Sequence, residues 1–157
     1  IIMPATKVFK ILKNKKLTVA AVESMTAGYL SYLLTKTPGS SNTFKGSFVV
    51  YSLDSKNRLF KLPKELLKKT QGVSKEIAAF LAEKIRKKLK SNIGISIVGF
   101  AGAGAKKGKK AGTAFIAISN KKEIFVTSAI IDGTRDNVRK KAAKFATEFL
   151  YQHLKAL

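Results

Sequence analysis

No cysteine occurs in this sequence, which removes a disulfide framework, a thiol nucleophile and thiolate-bound zinc from consideration. A single histidine, His153, lies in the C-terminal segment YQHLKAL; it suits a surface or packing role, and a histidine-rich metal centre is excluded with it. Acidic residues are scarce, 9 against 31 lysines and arginines in 157 residues, giving a formal net charge of +22. Long apolar runs are missing too. None approaches the roughly 20 residues of a membrane-spanning helix, and the N-terminal IIMPATKVFKILKNKK lacks the apolar core and cleavage site of a secretory signal. The expectation is a cytoplasmic protein with no metal and no cofactor. Any hydrolytic chemistry must come from hydroxyls, lysines or carboxylates.

What remains is the composition of an ordinary globular chain, 45% hydrophobic and 25% charged, long enough for one core but short for two. A single domain over 1–157 is expected. The positive charge attracts nucleic acid, acidic membrane surfaces or phosphorylated substrates. Basic residues are spread along the whole chain, so a lysine-rich solvated surface explains them as well as nonspecific polyanion binding does.

Hydrophobic periodicity orders the elements. Residues 4–14 place Val8, Ile11 and Leu12 at helical spacing. LTVAAVE, ending at Glu23, suits a strand buried on both faces, and a helix is expected from Ser24 to about Lys36, stopped by Pro38-Gly39. A second strand covers about Phe44 to Tyr51, followed by a short helix bearing Lys56 that Pro63 ends. Ser74 caps a longer helix with Ile77, Phe80, Leu81, Ile85 and Leu89 on one stripe. NIGISIVGFAG reads as a strand entering the loop AGAGAKKGKKAG, where Lys106, Lys107, Lys109 and Lys110 can form a basic lid; GTAFIAIS and EIFVTSAII read as a hairpin. The last helix starts near Thr134 or Arg135 and carries Val138, Ala142, Phe145 and Phe149 inward. This order predicts an α/β fold of three layers, α/β/α, with a mixed, mostly parallel sheet.

Ligands of open α/β sheets gather beyond the carboxyl ends of the strands. Three segments occupy such places: Glu23-Ser24-Met25-Thr26-Ala27-Gly28, Tyr51-Ser52-Leu53-Asp54-Ser55-Lys56, and Gly99-Phe100-Ala101-Gly102-Ala103-Gly104. Ser24 either caps the helix or acts as a nucleophile beside free backbone N–H groups. A serine needs a base, and with no histidine placed to serve, a lysine of lowered pKa is the alternative. Burial and a helix dipole both lower it, and Lys56, in the first turn after a strand, can experience both. Tyr51 either closes the core edge or relays a hydrogen bond between Lys56 and Ser24. Glu23 either binds substrate or caps backbone groups. The glycine-rich segment lacks a Walker ending and a dinucleotide fingerprint, yet still permits close backbone approach to a ligand.

Taken together, ESMTAG, TPGSSNTFKGSFVVYSLDSK, VGFAGAG with a following GT, VSKEIA and DGTRDNVRKKAA resemble, in order and spacing, the ESCTGG, PGSS…YSN..K, TGIAGPGG…GT, VSEEVA and GDR…R..A segments of the CinA C-terminal domain family. The resemblance covers about residues 14–155. It implies a Ser–Lys amidohydrolase that deamidates nicotinamide mononucleotide to nicotinic acid mononucleotide and ammonia, with Ser24, Tyr51 and Lys56 as catalytic residues. Contacts to the phosphorylated nucleotide are expected from Glu23, Thr26, Gly28, Ser40, Ser41, Gly99, Gly102, Gly104 and Arg135. A homo-oligomer is expected, as is a stand-alone form without the larger N-terminal domain of many relatives. The sequence departs from the family pattern at Met25, Ala27, Val98 and Ala103, with Asp54 in place of an acid one carbon longer. Those changes keep open a second reading, a catalytically silent nucleotide- or polyanion-binding domain.

Overall fold

The computed structural model describes residues 3–102 and 109–157. Its five strands are β1 (Val19–Glu23), β2 (Phe44–Val49), β3 (Ile93–Gly99), β4 (Thr113–Ser119) and β5 (Ile124–Ile130). They form one sheet in the order β2-β1-β3-β4-β5. β1 pairs in parallel with β2 and with β3, whereas β3–β4 and β4–β5 are antiparallel. Four strands therefore point one way and β4 the other, the mixed three-layer arrangement expected from the sequence.

Strand alternation divides the core in two. From β1, Val19 and Ala21 face a cluster built with Val8 and Leu12 of α1 (Pro4–Lys15), Leu30 and Leu34 of α2 (Tyr29–Thr35) and the long α6 (Arg135–Lys155). Ala20 and Val22 face the opposite cluster, with Phe60 of α3 (Leu53–Phe60), Leu67 of α4 (Lys64–Thr70) and Ile77, Leu81 and Ile85 of α5 (Lys75–Lys88). All five residues of β1 are buried, so an unbroken small and β-branched run was the right signal for a strand covered on both faces. No helix among the described residues is long and apolar enough to cross a membrane.

Three expectations change. The helix anticipated from Ser24 begins only at Tyr29, because Ala27 and Gly28 take left-handed backbone angles, φ +49° and +98°, that interrupt helical propagation. α4 was not anticipated; KELLKKT carries a single leucine pair, too little for a periodicity, and it is fixed by burying Leu67 and Thr70. On α6 the inward stripe runs through Val138, Ala142, Ala146 and Leu150, which leaves Phe145 38% exposed instead of inward. Phe149 is only partly buried against that core.

α5 passes close to the sheet at Gly94 of β3, where an added Cβ would lie 2.0 Å from the Ala82 carbonyl oxygen of α5 and 2.9 Å from Arg86 Cβ. Backbone cannot yield to such overlap without shifting α5 off β3. Gly94→Ala is expected to lower stability by about 3 kcal/mol, read as an earlier urea midpoint with an unaltered slope.

Candidate active site

Because β2, β1 and β3 are adjacent and parallel, their carboxyl ends share one rim. The Val50 N–H donates to the Glu23 carbonyl at 2.8 Å and the Ser24 N–H to the Ile97 carbonyl at 3.1 Å. These bonds bring the three segments singled out in the sequence to one cavity of about 370 Å³, lined by Ser24, Tyr51, Lys56, Gly99, Gly102 and Arg135 among others. Its size falls within the usual range for small-molecule sites.

At the floor of the cavity, Lys56 Nζ donates to Ser24 Oγ at 3.2 Å. Both side chains are almost wholly buried, at 3% and 4% exposure. α3 aims the lysine. Its first turn is fixed by a reciprocal cap in which the Ser55 N–H donates to Ser52 Oγ and the Ser52 N–H to Ser55 Oγ. Burial removes water from the ammonium and lowers the Lys56 pKa from 10.5 to about 8. About one-tenth of the lysine is then neutral at pH 7, against well under one in a thousand for a solvated one.

The cover over Lys56 is the turn Gln71-Gly72-Val73, which sequence reasoning missed. Gln71 and Gly72 are both left-handed, at φ +53° and +72°, and a Cβ on Gly72 would lie 2.8 Å from Leu53 Cδ2 and 3.3 Å from Lys56 Nζ. Lys109 Nζ donates to the Val73 carbonyl at 2.6 Å, tying this turn to the segment that leads into β4. The available signal was a Gln-Gly pair just before the Ser74 cap, a dipeptide suited to consecutive positive φ angles.

Glu23 is corrected from substrate contact to helix cap. Its wholly buried carboxylate accepts from Thr26 Oγ1 at 2.6 Å, from the N–H groups of Gly28, Leu30 and Ser31 at 3.1, 2.9 and 2.9 Å, and from Ser31 Oγ. Five donors leave it nothing to offer a ligand. Thr26 is corrected with it, its hydroxyl being committed to Glu23, and the Gly28 N–H is committed likewise. The same capping releases Ser24 from the role of helix cap. Among the described residues, the Met25 and Thr26 N–H groups following Ser24 have no acceptor.

Ser40 and Ser41 are corrected outright. They lie in a single 3₁₀ turn, Ser40–Asn42, just before β2, whose first residue pairs with Val19 at the start of β1. That is the far end of the sheet from Ser24, about 15 Å along β1. Ser40 Oγ donates to the Thr35 carbonyl at 2.9 Å.

Tyr51 lines the cavity but is 52% exposed, and no relay between Lys56 and Ser24 forms through it. Its hydroxyl accepts from Arg135 Nη2 and, at 3.0 Å, from Arg139 Nη2. Arg135 passes so close over Gly102 that a Cβ there would meet its Nη1 at 2.6 Å. Gly99 gives room to the Met25 thioether, so Met25 packs against the end of β3 while lining the cavity. Val98 is buried in the apolar cluster on the α5 side and does not line the site. Gly104, Ala103, Lys106 and Lys107 lie outside the described residues. Among the described residues, no group of three or more His, Asp or Glu side chains is placed to hold a metal.

Ala27 sits left-handed at φ +49°, where the resembling signature has glycine. A Cβ in this region costs about 1 kcal/mol, so Ala27→Gly is expected to stabilise the fold by about 0.5–1 kcal/mol, visible as a raised denaturation midpoint. Lys56 gives a stronger test. Its folded pKa lies below the unfolded value, so its charge opposes folding in full below about pH 8, and the penalty disappears as pH rises toward 10.5. Lys56→Met is therefore expected to be more stable than the parent by about 1–3 kcal/mol at pH 7, with the difference vanishing near pH 10 in denaturation series at stepped pH.

Comparison with known proteins gives concordant matches. A family model described as the CinA C-terminal domain matches residues 3–154. A Bacillus cereus (strain AH187) protein, provisionally named a competence-damage inducible protein, is 38% identical over 152 residues, covering 96% of this chain and 37% of its own length. The chain thus spans little more than a third of the curated relatives it matches. A solved competence or damage-inducible protein from Enterobacter asburiae superposes with a TM-score of 0.91 at 28% identity, over 96% of both chains. A CinA superfamily protein from Klebsiella pneumoniae gives 0.93 at 24% identity, over 98% and 97%; at that identity the likeness is one of fold.

Proposed function

The chain belongs to the CinA C-terminal domain family, and from that premise we propose that it is a Ser–Lys amidohydrolase deamidating nicotinamide mononucleotide. The observation that carries this is the buried Lys56–Ser24 hydrogen bond, 3.2 Å long, to a lysine whose pKa burial has brought to about 8. A lysine in water is a poor base at neutral pH; this one has a usable neutral fraction.

In the proposed cycle neutral Lys56 takes the Ser24 proton as Oγ attacks the carboxamide carbon. Charge gathers on the carbonyl oxygen, where the unbonded N–H group of Met25, a residue that lines the cavity, is an available donor. As the C–N bond breaks, the Lys56 ammonium returns its proton to the leaving nitrogen, and ammonia departs. A water molecule then attacks the ester, losing its proton to Lys56; Ser24 regains a proton and nicotinic acid mononucleotide is freed. Arg135, held by the Tyr51 hydroxyl at the rim, is suited to the phosphate, and Tyr51 keeps its own hydroxyl proton for a ligand.

A binding role is favoured by one separate observation, the net charge of +22. It predicts salt-dependent retention of nucleic acid, which can coexist with catalysis.

Purified protein incubated with nicotinamide mononucleotide is expected to release ammonia at a rate that climbs through about pH 8 as Lys56 loses its proton. Ser24→Ala and Lys56→Ala should each lower that rate by roughly 10³-fold or more. An inert parent protein, or folded variants that keep the parent rate, would overturn the proposal.

A further inference from the structure

The two edges of the sheet are finished differently. β2 carries Lys45 and, at Gly46, a φ of +145°, and its register with β1 shifts between Val19 and Ala20. A charge and an irregular register are common protections of an exposed edge against pairing with another chain. β5, at the opposite edge, reads IFVTSAI. It has no charge, proline or glycine over 7 residues, in a chain that holds 31 lysines and arginines. Its register with β4 runs from Ile124 to Ile130 without a shift, and Ile124, Phe125, Val126 and Ile130 are all exposed, Ile130 at 60%. A regular, apolar, unprotected edge is a template for a further strand. We propose that this edge is a dimer interface, where β5 of a second copy of the chain adds in antiparallel register about a two-fold axis at Thr127.

The backbone fixes which registers are open. The Ile131 N–H donates to the Gly112 carbonyl and the Asn120 N–H to the Glu123 carbonyl, so the odd-numbered residues of β5 turn their polar backbone groups toward β4. Those of Ile124, Val126, Ser128 and Ile130 turn outward, where no strand meets them among the described residues. Two copies can therefore pair only even against even. Centring on Thr127 sets Ile124 opposite the partner's Ile130 and Val126 opposite the partner's Ser128, and it employs every outward group of the strand.

The side chains suit that register. Val126 lies beside Ala117, which belongs to the cluster under α5, so Ile124, Val126 and Ile130 share that face. In the dimer these residues from both copies form one apolar strip, with each exposed isoleucine set against another. The strand ends add charge. Continued past β5, the register brings Lys122 opposite the partner's Asp132, and symmetry repeats the pair at the other end. Asp132 is exposed and belongs to no ion pair among the described residues. With only 9 acidic residues against 31 basic ones, two such molecules repel over most of their surface, and this edge is a place where they attract. No residue of β5 lines the Ser24 cavity, so the proposal stands apart from the amidohydrolase reading.

Light scattering of the full chain as it leaves a gel-filtration column at physiological salt is expected to give the mass of two copies. Ser128→Pro removes an outward N–H and spares the ladder to β4, the tolerated place for proline in an edge strand. It should give the mass of one copy with an unchanged circular dichroism spectrum. The absence of cysteine allows a second variant that reports register. Thr127→Cys sets two thiols across a non-hydrogen-bonded pair, with Cα atoms about 4.5 Å apart and within disulfide reach, so mild oxidation should convert most of the protein to a covalent dimer. Ser128→Cys sets its thiols on a diagonal beyond that reach and should cross-link at least roughly tenfold more slowly. A parent with the mass of one copy or of more than two overturns the proposal. So does a dimer that survives in folded Ser128→Pro, or cross-linking equal at 127 and 128. If Ser128→Pro does not fold, the two thiol variants decide alone.

Discussion

An ammonium group held out of water against a serine hydroxyl is the constraint to which the surrounding structure answers. Lys56 cannot be buried by its own helix. It needs Leu53 beside it, the Gln71-Gly72-Val73 turn above it and Ser24 in front of it. The turn in turn needs α4 to deliver it, two left-handed residues to bend it, and Lys109 to anchor its Val73 carbonyl. An element with little packing of its own thus has a clear purpose: α4 carries a cover to the site. The cost is a fold destabilised by its own catalytic candidate at neutral pH, a conflict common where a site needs a charged group to become neutral.

Glu23 solves a second problem at the same rim. A nucleophile at the end of a buried strand usually competes with the next helix for the same hydroxyl, since the first N–H groups of that helix need acceptors. Here the preceding carboxylate supplies the acceptors for Gly28, Leu30 and Ser31 and holds the Thr26 hydroxyl as well. Two left-handed residues postpone α2 to Tyr29. Between strand and helix there remains a stretch in which Ser24 and the following N–H groups face no helical obligation. A buried charge with five donors is thereby converted into freedom for its neighbour.

The sheet, its layers and the meeting of three strand ends were legible because they depend on patterns that repeat: apolar runs for strands covered on both faces, 3.6-residue stripes for α1 and α5, and turn residues between them. The pairing of Ser24 with Lys56 was legible only by elimination and resemblance, since nothing local in the sequence reports that a lysine is buried. Glu23 and Thr26 at the rim, and Ser40 away from it in the turn it shares with Ser41, bond to the chain itself for a shared reason. A polar side chain near a strand end can point to a ligand or back to the chain, and the choice depends on orphan N–H and C=O groups that composition does not reveal. Tyr51 shows the same limit from the other side. Its position at the rim was correct, but its partners, Arg135 and Arg139, come from α6, more than eighty residues away.

The site also separates two kinds of cation by what each can do. An arginine keeps its proton under any condition in which the protein is folded, so burial or crowding cannot turn it into a base. Arg135 and Arg139 therefore sit at the rim and beyond, where a lasting positive charge suits phosphate. Lysine is the cation that yields its proton when water is withdrawn, and among the described residues it is Lys56 that is placed at the floor, under a cover, against a hydroxyl. Exchanging the two residue types would fail in both directions: an arginine at 56 would be a buried charge without relief, and a lysine at 135 would lose the planar fork that meets phosphate oxygens in pairs. The excess of positive charge over the whole chain is compatible with anionic ligands, but it does not distinguish these positions. Their depth in the cavity does.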